Sequence, residues 1–241
     1  MTDPRDAAQL GYATNMDLTS PPIQGRARGV RISMICVLVL SVIVAGLLFT
    51  VPTIREMSKT PSPANAGFLI VVGLSLVVGG CGQMAAFITT VVFFCMWIHR
   101  ANRLTRRFSP EGMQYTPGWA VGWFFIPFAN LVMPYKVMSE IWQRNGQAPG
   151  EMGPPSNGLV GAWWLCYVLS GVTDRIASTL EREEIGAFAA GAVMHSLWAV
   201  LIVVSGVLCL QLVKRITENL ESKRKELDGV PSHVPGTFPV Q

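Results

Sequence analysis

Few residues in this chain are of a type and spacing that could do chemistry. Glu140 is the one carboxylate in the aromatic segment TPGWAVGWFFIPFANLVMPYKVMSEIWQ, residues 116–143. Arg144, four residues on, is positioned to neutralise it on a helix. His195 lies within the apolar run GAVMHSLWAV, beside Ser196. An ionisable group in such a run is a functional candidate by default, as a proton relay or a metal ligand. The preferred reading is a neutral imidazole bonded to a hydroxyl or carbonyl on a neighbouring helix. His99 and His233 belong to other regions, so a two-histidine metal or haem site is not expected. The five cysteines, Cys36, Cys81, Cys95, Cys166 and Cys209, are scattered through apolar runs without C-x-x-C spacing and read as small packed thiols. No catalytic, cofactor-binding or metal-binding residue is therefore predicted, and the expected class is non-enzymatic.

The prolines of 116–143 are the next signal. Placed within a helix, Pro127 frees the carbonyl of Trp123 and Pro134 that of Asn130, because proline has no N–H to give the residue four before it. Seven residues apart, the two carbonyls share a face with the Asn130 amide. At membrane depth such backbone is tolerated only where protein or water satisfies it. Two readings stay open: a brace satisfied by neighbouring helices, or a water or cation path around Asn130 like those of discontinuous transporter helices. Trp119, Trp123, Tyr135 and Trp142 suit an interface, being apolar rings with a polar edge.

The elements that must hold these residues are long and apolar. Of 241 residues, half are apolar and only 14% charged. A cluster of spans about 32–51, 66–98, 158–176 and 185–213 predicts an all-α, polytopic integral membrane bundle of four transmembrane helices. A proline-broken re-entrant or interfacial helix over 117–142 completes it. The second span is read as one long helix, with Gly79, Gly80 and Gly82 as the place for a bend. If 117–135 does not cross, the cytoplasmic side holds 15 Lys and Arg against four outside; if it does, the split is 10 to 9. The positive-inside rule selects four spans with both termini cytoplasmic. Arg100, Arg103 and Arg107, at i, i+3 and i+7, predict a face that meets phosphates of the anionic inner leaflet. Nothing in this patch resembles a nucleic-acid reader. Residues 1–28 and 229–241 are too poor in large apolar residues to form a core and are expected as disordered cytoplasmic tails, with no cleaved signal. Residues 211–228 are expected as an amphiphilic helix, and the loop 174–184 as a solvated acidic turn.

The run PGWAVGWFFIPFANLVMPYKVMSEIW, with WIHRANRL before it and GAWWLCYVLS after it, resembles the bacterial membrane proteins grouped as domain of unknown function 4328. The resemblance covers roughly residues 35–220 and rests on Trp119, Trp123, Pro127, Asn130, Pro134, Tyr135, Glu140 and Trp142. It implies a multi-span protein of the bacterial cytoplasmic membrane and assigns no activity. The leading expectation is a scaffold or regulatory interaction protein, with a membrane-protein partner or a second copy of the chain. A small solute or ion transporter built on the broken helix is the alternative.

Overall fold

The structure, a computed structural model, describes residues 23–48, 50–59, 62–109, 112–145, 155–180 and 187–228. The expected tails over 1–22 and 229–241, and Glu181, Glu183 and Glu184 of the acidic turn, lie outside these residues. The described elements are all helical: α1 (Ile23–Leu48), α2 (Val51–Lys59), α3 (Pro63–Phe108), α4 (Pro117–Gly122), a 3-10 turn (Ala129–Leu131), α5 (Met133–Asn145), α6 (Gly158–Leu180) and α7 (Ala187–Asp228).

Among the described residues, three stretches are long and apolar enough to cross a membrane: Ile23–Val44, Asn65–Phe108 and Val193–Lys225. Their surfaces carry bare aliphatic side chains, with Val42, Val78 and Val200 each at least 60% exposed. Exposed apolar area on that scale needs a partner other than water. α6 has 23 residues, about 34 Å of rise, but Trp163, Trp164, Tyr167, Asp174 and Arg175 dilute its apolar character.

The expected boundaries shift in several places: residues 174–180, read from sequence as part of a solvated loop, are the last turns of α6, and the second span runs on from 98 to Phe108. Residues 23–28, read from sequence as tail, are the first turns of α1, with Ile23 and Ala27 each only 1% exposed. A few small and apolar residues suffice there because they are buried against other helices, which sequence composition alone does not register. The stretch 211–228 is not a separate helix but the end of α7, and Leu212, Val213, Ile216 and Leu220 are fully buried. Its apolar face packs within the bundle. The short helix α2, which no expectation covered, carries an exposed Lys59–Glu56 ion pair at 2.6 Å.

Contacts along the helices fix their directions. Arg26 donates to the Met96 carbonyl (3.2 Å), Gly29 lies against Phe93, Gln83 donates to Ser41 (2.8 Å) and Gly79 faces Val44. Numbering rises on α1 as it falls on α3, so the pair is antiparallel. Leu38 of α1 meets Gly206 of α7, and the Trp97 indole of α3 donates to Thr217 of α7 (3.0 Å). Through α1, Gly206 is level with about residue 85 of α3, while Thr217 is level with Trp97, so α7 runs parallel to α3. The start of α1 and the ends of α3 and α7 therefore share one end of the bundle. That end is the basic one, bearing Arg26, Arg100, Arg103, Arg106, Arg107, Lys214 and Arg215.

Candidate functional site at the basic end of the bundle

The proline-broken element makes an out-and-back excursion beside α3. Its outward leg begins at 113–115, where Arg106 donates to the carbonyls of Met113 (3.2 Å) and Tyr115 (2.9 Å). Glu140 on the return leg accepts the amides of Gln114 and Tyr115. One strand of backbone is thus held by a cation on its acceptors and an anion on its donors, the stronger kind of hydrogen bond in both cases. Pro117 then opens α4 at its first position, where a missing N–H costs nothing, and the Trp119 amide is directed at the Thr116 side chain (3.5 Å). Trp119 and Trp123 lie 4.7 Å apart, and Phe124 meets Phe94 of α3 edge-on at 5.5 Å.

The leg turns at Phe128, the only non-glycine residue of positive φ among the described residues (φ 64°, ψ −46°), with the Ala129 amide bonded to the Pro127 carbonyl at 2.8 Å. This is a strained γ-turn, and its side chain is 87% exposed. After the 3-10 turn, α5 returns to α3 at Asn145, whose amide donates to Thr105 (2.6 Å). Departure at Arg106 and return at Thr105 are adjacent on one helix, so the element leaves and rejoins the same end.

The C-terminus of α5 is closed by α7. Lys223 donates to the Arg144 carbonyl (2.8 Å) and to Asn145 Oδ1 (3.2 Å), and Asn219 donates to the Asn145 carbonyl (2.7 Å). A cation on the last carbonyls of a helix satisfies orphan acceptors and the negative end of its dipole together. Trp142 donates to the Ser156 carbonyl (2.9 Å) and Trp164 to the Leu131 carbonyl (3.1 Å), tying the 3-10 turn and the return leg to the start of α6. Gly112, at φ 74°, leaves room for Arg144 as it reaches the Ser109 carbonyl (3.4 Å); a Cβ there would lie 3.0 Å from the guanidinium.

Several sequence expectations meet this geometry and change. Residues 123–128 are turns, not helix, and Pro134 lies in the first turn of α5. The shared face of freed carbonyls around Asn130 is therefore not assembled, because these prolines occupy positions where no helical hydrogen bond is lost. The Asn130 amide N–H is bonded to the Ile126 carbonyl (2.9 Å), and the carbonyl reached from another helix is that of Leu131. Glu140 grips the amides of 114 and 115 instead of Arg144. Arg100 is 3% exposed, inside the bundle, whereas Arg103 is exposed and Arg107 half-buried, so the three do not form one lipid-facing surface. Helical spacing put them on one side of α3, but the bundle covers Arg100 and leaves Arg103 open. Tyr135 is half-buried against the core. His195 is half-buried on α7, ten residues or about 15 Å before Ser205, which donates to the Trp163 carbonyl (3.3 Å). It is not part of this cluster.

Sequence reasoning missed Arg106, Asn145, Asn219 and Lys223. The four-residue spacing of Asn219 and Lys223 and the place of Asn145 at the end of an amphipathic helix were the available signals. It also missed Asn102, which is fully buried with neither amide atom bonded, and the unbonded Ser139 hydroxyl and Glu221 Oε1.

The described fold is all-helical, and its three long apolar helices suggest a membrane protein. The chain belongs to the family described as domain of unknown function DUF4328, whose profile matches residues 68–218. The match takes in the apolar length of α3, the whole broken element, α6 and most of α7, and begins later than the resemblance read from sequence. No curated protein and no solved structure matched the chain.

Proposed function

We propose that the protein is a non-enzymatic scaffold or regulatory interaction protein of the bacterial cytoplasmic membrane, crossing it four times with both ends cytoplasmic. The observation that carries this reading is the interlock of Arg106, Glu140, Asn145, Asn219 and Lys223. These five side chains tie the broken element to α3 and α7 at its two ends, which is what a rigid platform requires. The placement of both described chain ends at the basic end supports the four-span topology, as does the 15 to 4 division of Lys and Arg. α6 serves as the third crossing, its tryptophans near the interface. On this reading the broken element is re-entrant, which draws support from Phe125 lining one groove with Ile88 and Val92 of α3, about 10–16 Å from His99 along the helix, and from the exposed Phe128 tip.

Topology is checked by a reporter fused after Gln241 and by a cysteine placed at Glu183. The reporter is expected to work only in the cytoplasm, and the cysteine to react with an impermeant reagent from outside. A periplasmic C-terminus removes the four-span arrangement. The platform reading is checked by purification in mild detergent with identification of co-eluting membrane proteins, beside solute flux in liposomes. Reproducible isolation without a partner, together with flux above empty liposomes, overturns it. That second outcome is the transporter reading, which draws support from the unbonded buried groups of Asn102, Ser139 and Glu221, since such groups are natural places for water. It requires flux that falls in Asn102→Leu protein of unchanged fold.

A further inference from the structure

One surface of α3 is left uncovered beside the outward leg of the broken element. Ile88, Val92, Cys95 and Met96 from α3, with Val121 and Phe125 opposite them, line an open groove of about 410 Å³ without a polar group in its lining. That volume falls within the roughly 300–1,000 Å³ of ordinary ligand clefts. Ile88 and Val92 are half-exposed or more, and Phe125 is 63% exposed, so no other part of the described chain fills it. The stripe on which the groove lies continues down α3. Ile88, Val92, Cys95, His99 and Arg103 follow one another at intervals of three or four residues, hence on one helical face. Arg103 is exposed, and its Cα lies seven residues, or about 10 Å, beyond that of Met96.

We propose that this groove is a binding site for one anionic phospholipid, an acyl chain lying between α3 and Val121–Phe125 and the phosphate meeting Arg103. The axial order of the site, purely apolar and then cationic after about 10 Å, is the order of a phospholipid crossing from hydrocarbon to headgroup. A second protein helix would match the apolar part, but a guanidinium at the mouth adds nothing for an apolar partner. Ordinary annular lipid slides over a convex helix; here Phe125 and Val121 form a second wall, built by the out-and-back path of the broken element. The site therefore depends on that element, and it gives the exposed Phe125 ring of the outward leg an apolar partner. The proposal rests on the membrane reading given above.

The test uses the full chain in vesicles of phosphatidylcholine and phosphatidylglycerol in equal parts, re-extracted in mild detergent and weighed by native mass spectrometry. Wild type is expected to retain one lipid per chain, predominantly phosphatidylglycerol. Val92→Trp, which fills the groove from a half-exposed position, is expected to lose it. Arg103→Gln is expected to keep a lipid while its preference for phosphatidylglycerol falls about fivefold, the effect of one basic residue near a phosphate. A second readout needs no change to the groove: with Cys36, Cys81 and Cys166 replaced by serine, alkylation of Cys95 by a lipid-soluble maleimide should be slower in the mixed vesicles than in phosphatidylcholine alone. Equal retention of both lipids by wild type, unchanged retention in Val92→Trp, or equal alkylation rates would each overturn the proposal. So would a change from dimer to monomer in Val92→Trp, which would assign the groove to a second copy. Protein that washes from vesicles in alkaline carbonate fails the membrane reading itself; protein that stays but selects no lipid fails only this site.

Discussion

Replacing Asn145 by alanine should loosen the broken element from the rest of the bundle by an amount that the structure allows to be worked out. Asn145 is 2% exposed and joins three helices: its amide donates to Thr105 of α3 at 2.6 Å and its Oδ1 accepts from Lys223 of α7 at 3.2 Å. The first bond is neutral and contributes about 1 kcal/mol, and the second, to a charged donor, about 1.5–3 kcal/mol. Neither partner is stranded by the change. Thr105 still donates to the Ala101 carbonyl (2.8 Å), and Lys223 keeps the Arg144 carbonyl (2.8 Å). No full desolvation penalty is therefore added, and because Lys223 is only part-buried the lower half of the range applies, for a total of about 2.5–3 kcal/mol. The assay is reversible unfolding in mixed micelles for wild type, Asn145→Ala, Lys223→Ala and the double variant. A coupling energy of about 1.5–2 kcal/mol between the two sites is expected, since each single change removes their shared bond. A cysteine at Phe128 reports whether the turn becomes more reactive when the return leg is released. A loss below about 0.5 kcal/mol with no coupling would refute the argument that α7 holds α5 in place.

Three further outcomes follow from the same packing. Gly29→Ala places a Cβ 2.6 Å from the ring of Phe93, so it should destabilise the α1–α3 pair by about 1–3 kcal/mol, and Phe93→Leu should recover part of the loss in a thermal unfolding series. Gln83→Leu should change stability by less than about 1 kcal/mol in either direction: it removes the 2.8 Å bond to Ser41, of modest strength between apolar helices, but also the Oε1 atom that is buried without a partner. Phe128→Gly relieves a strained γ-turn costing about 1–3 kcal/mol against a glycine entropy cost of about 0.5–1 kcal/mol, so its unfolding midpoint in detergent should rise; a fall would mean that the turn is not under strain.

The sequence carried the helical class because apolar runs of bilayer length leave few alternatives, and it located the broken element because three prolines among tryptophans have no place in a plain span. It did not carry the roles of the polar residues. Glu140 and Arg144 satisfy the i, i+4 rule, yet each bonds to backbone of the 109–115 connection, whose path is set by Gly112 and by tertiary packing. Helical spacing likewise grouped Arg100 with Arg103 and Arg107, although the burial of Arg100 depends on neighbouring helices from distant parts of the chain. Local periodicity reports which residues share a face; it does not report what that face meets.

The prolines show the same limit more sharply. Their spacing suggested a helix with two missing hydrogen bonds and therefore a polar strip. In the fold, Pro117 opens α4, Pro127 enters the γ-turn and Pro134 lies in the first turn of α5, each at a position where no N–H was needed. The prolines thus divide the segment instead of weakening it, and division is what allows the chain to reverse. A continuous helix over 117–142 would extend about 39 Å and emerge at the far end of the bundle. Broken at Phe128, it comes back to Thr105 and Lys223, where its last carbonyls are capped. The polar residues that sequence reasoning missed are those that a returning chain needs: Arg106 where the excursion leaves, and Asn145, Asn219 and Lys223 where it closes. An element of this kind holds its shape through its two fixed ends, which leaves the apolar surface between them, Trp119, Phe125 and Phe128, for contact with whatever surrounds the bundle.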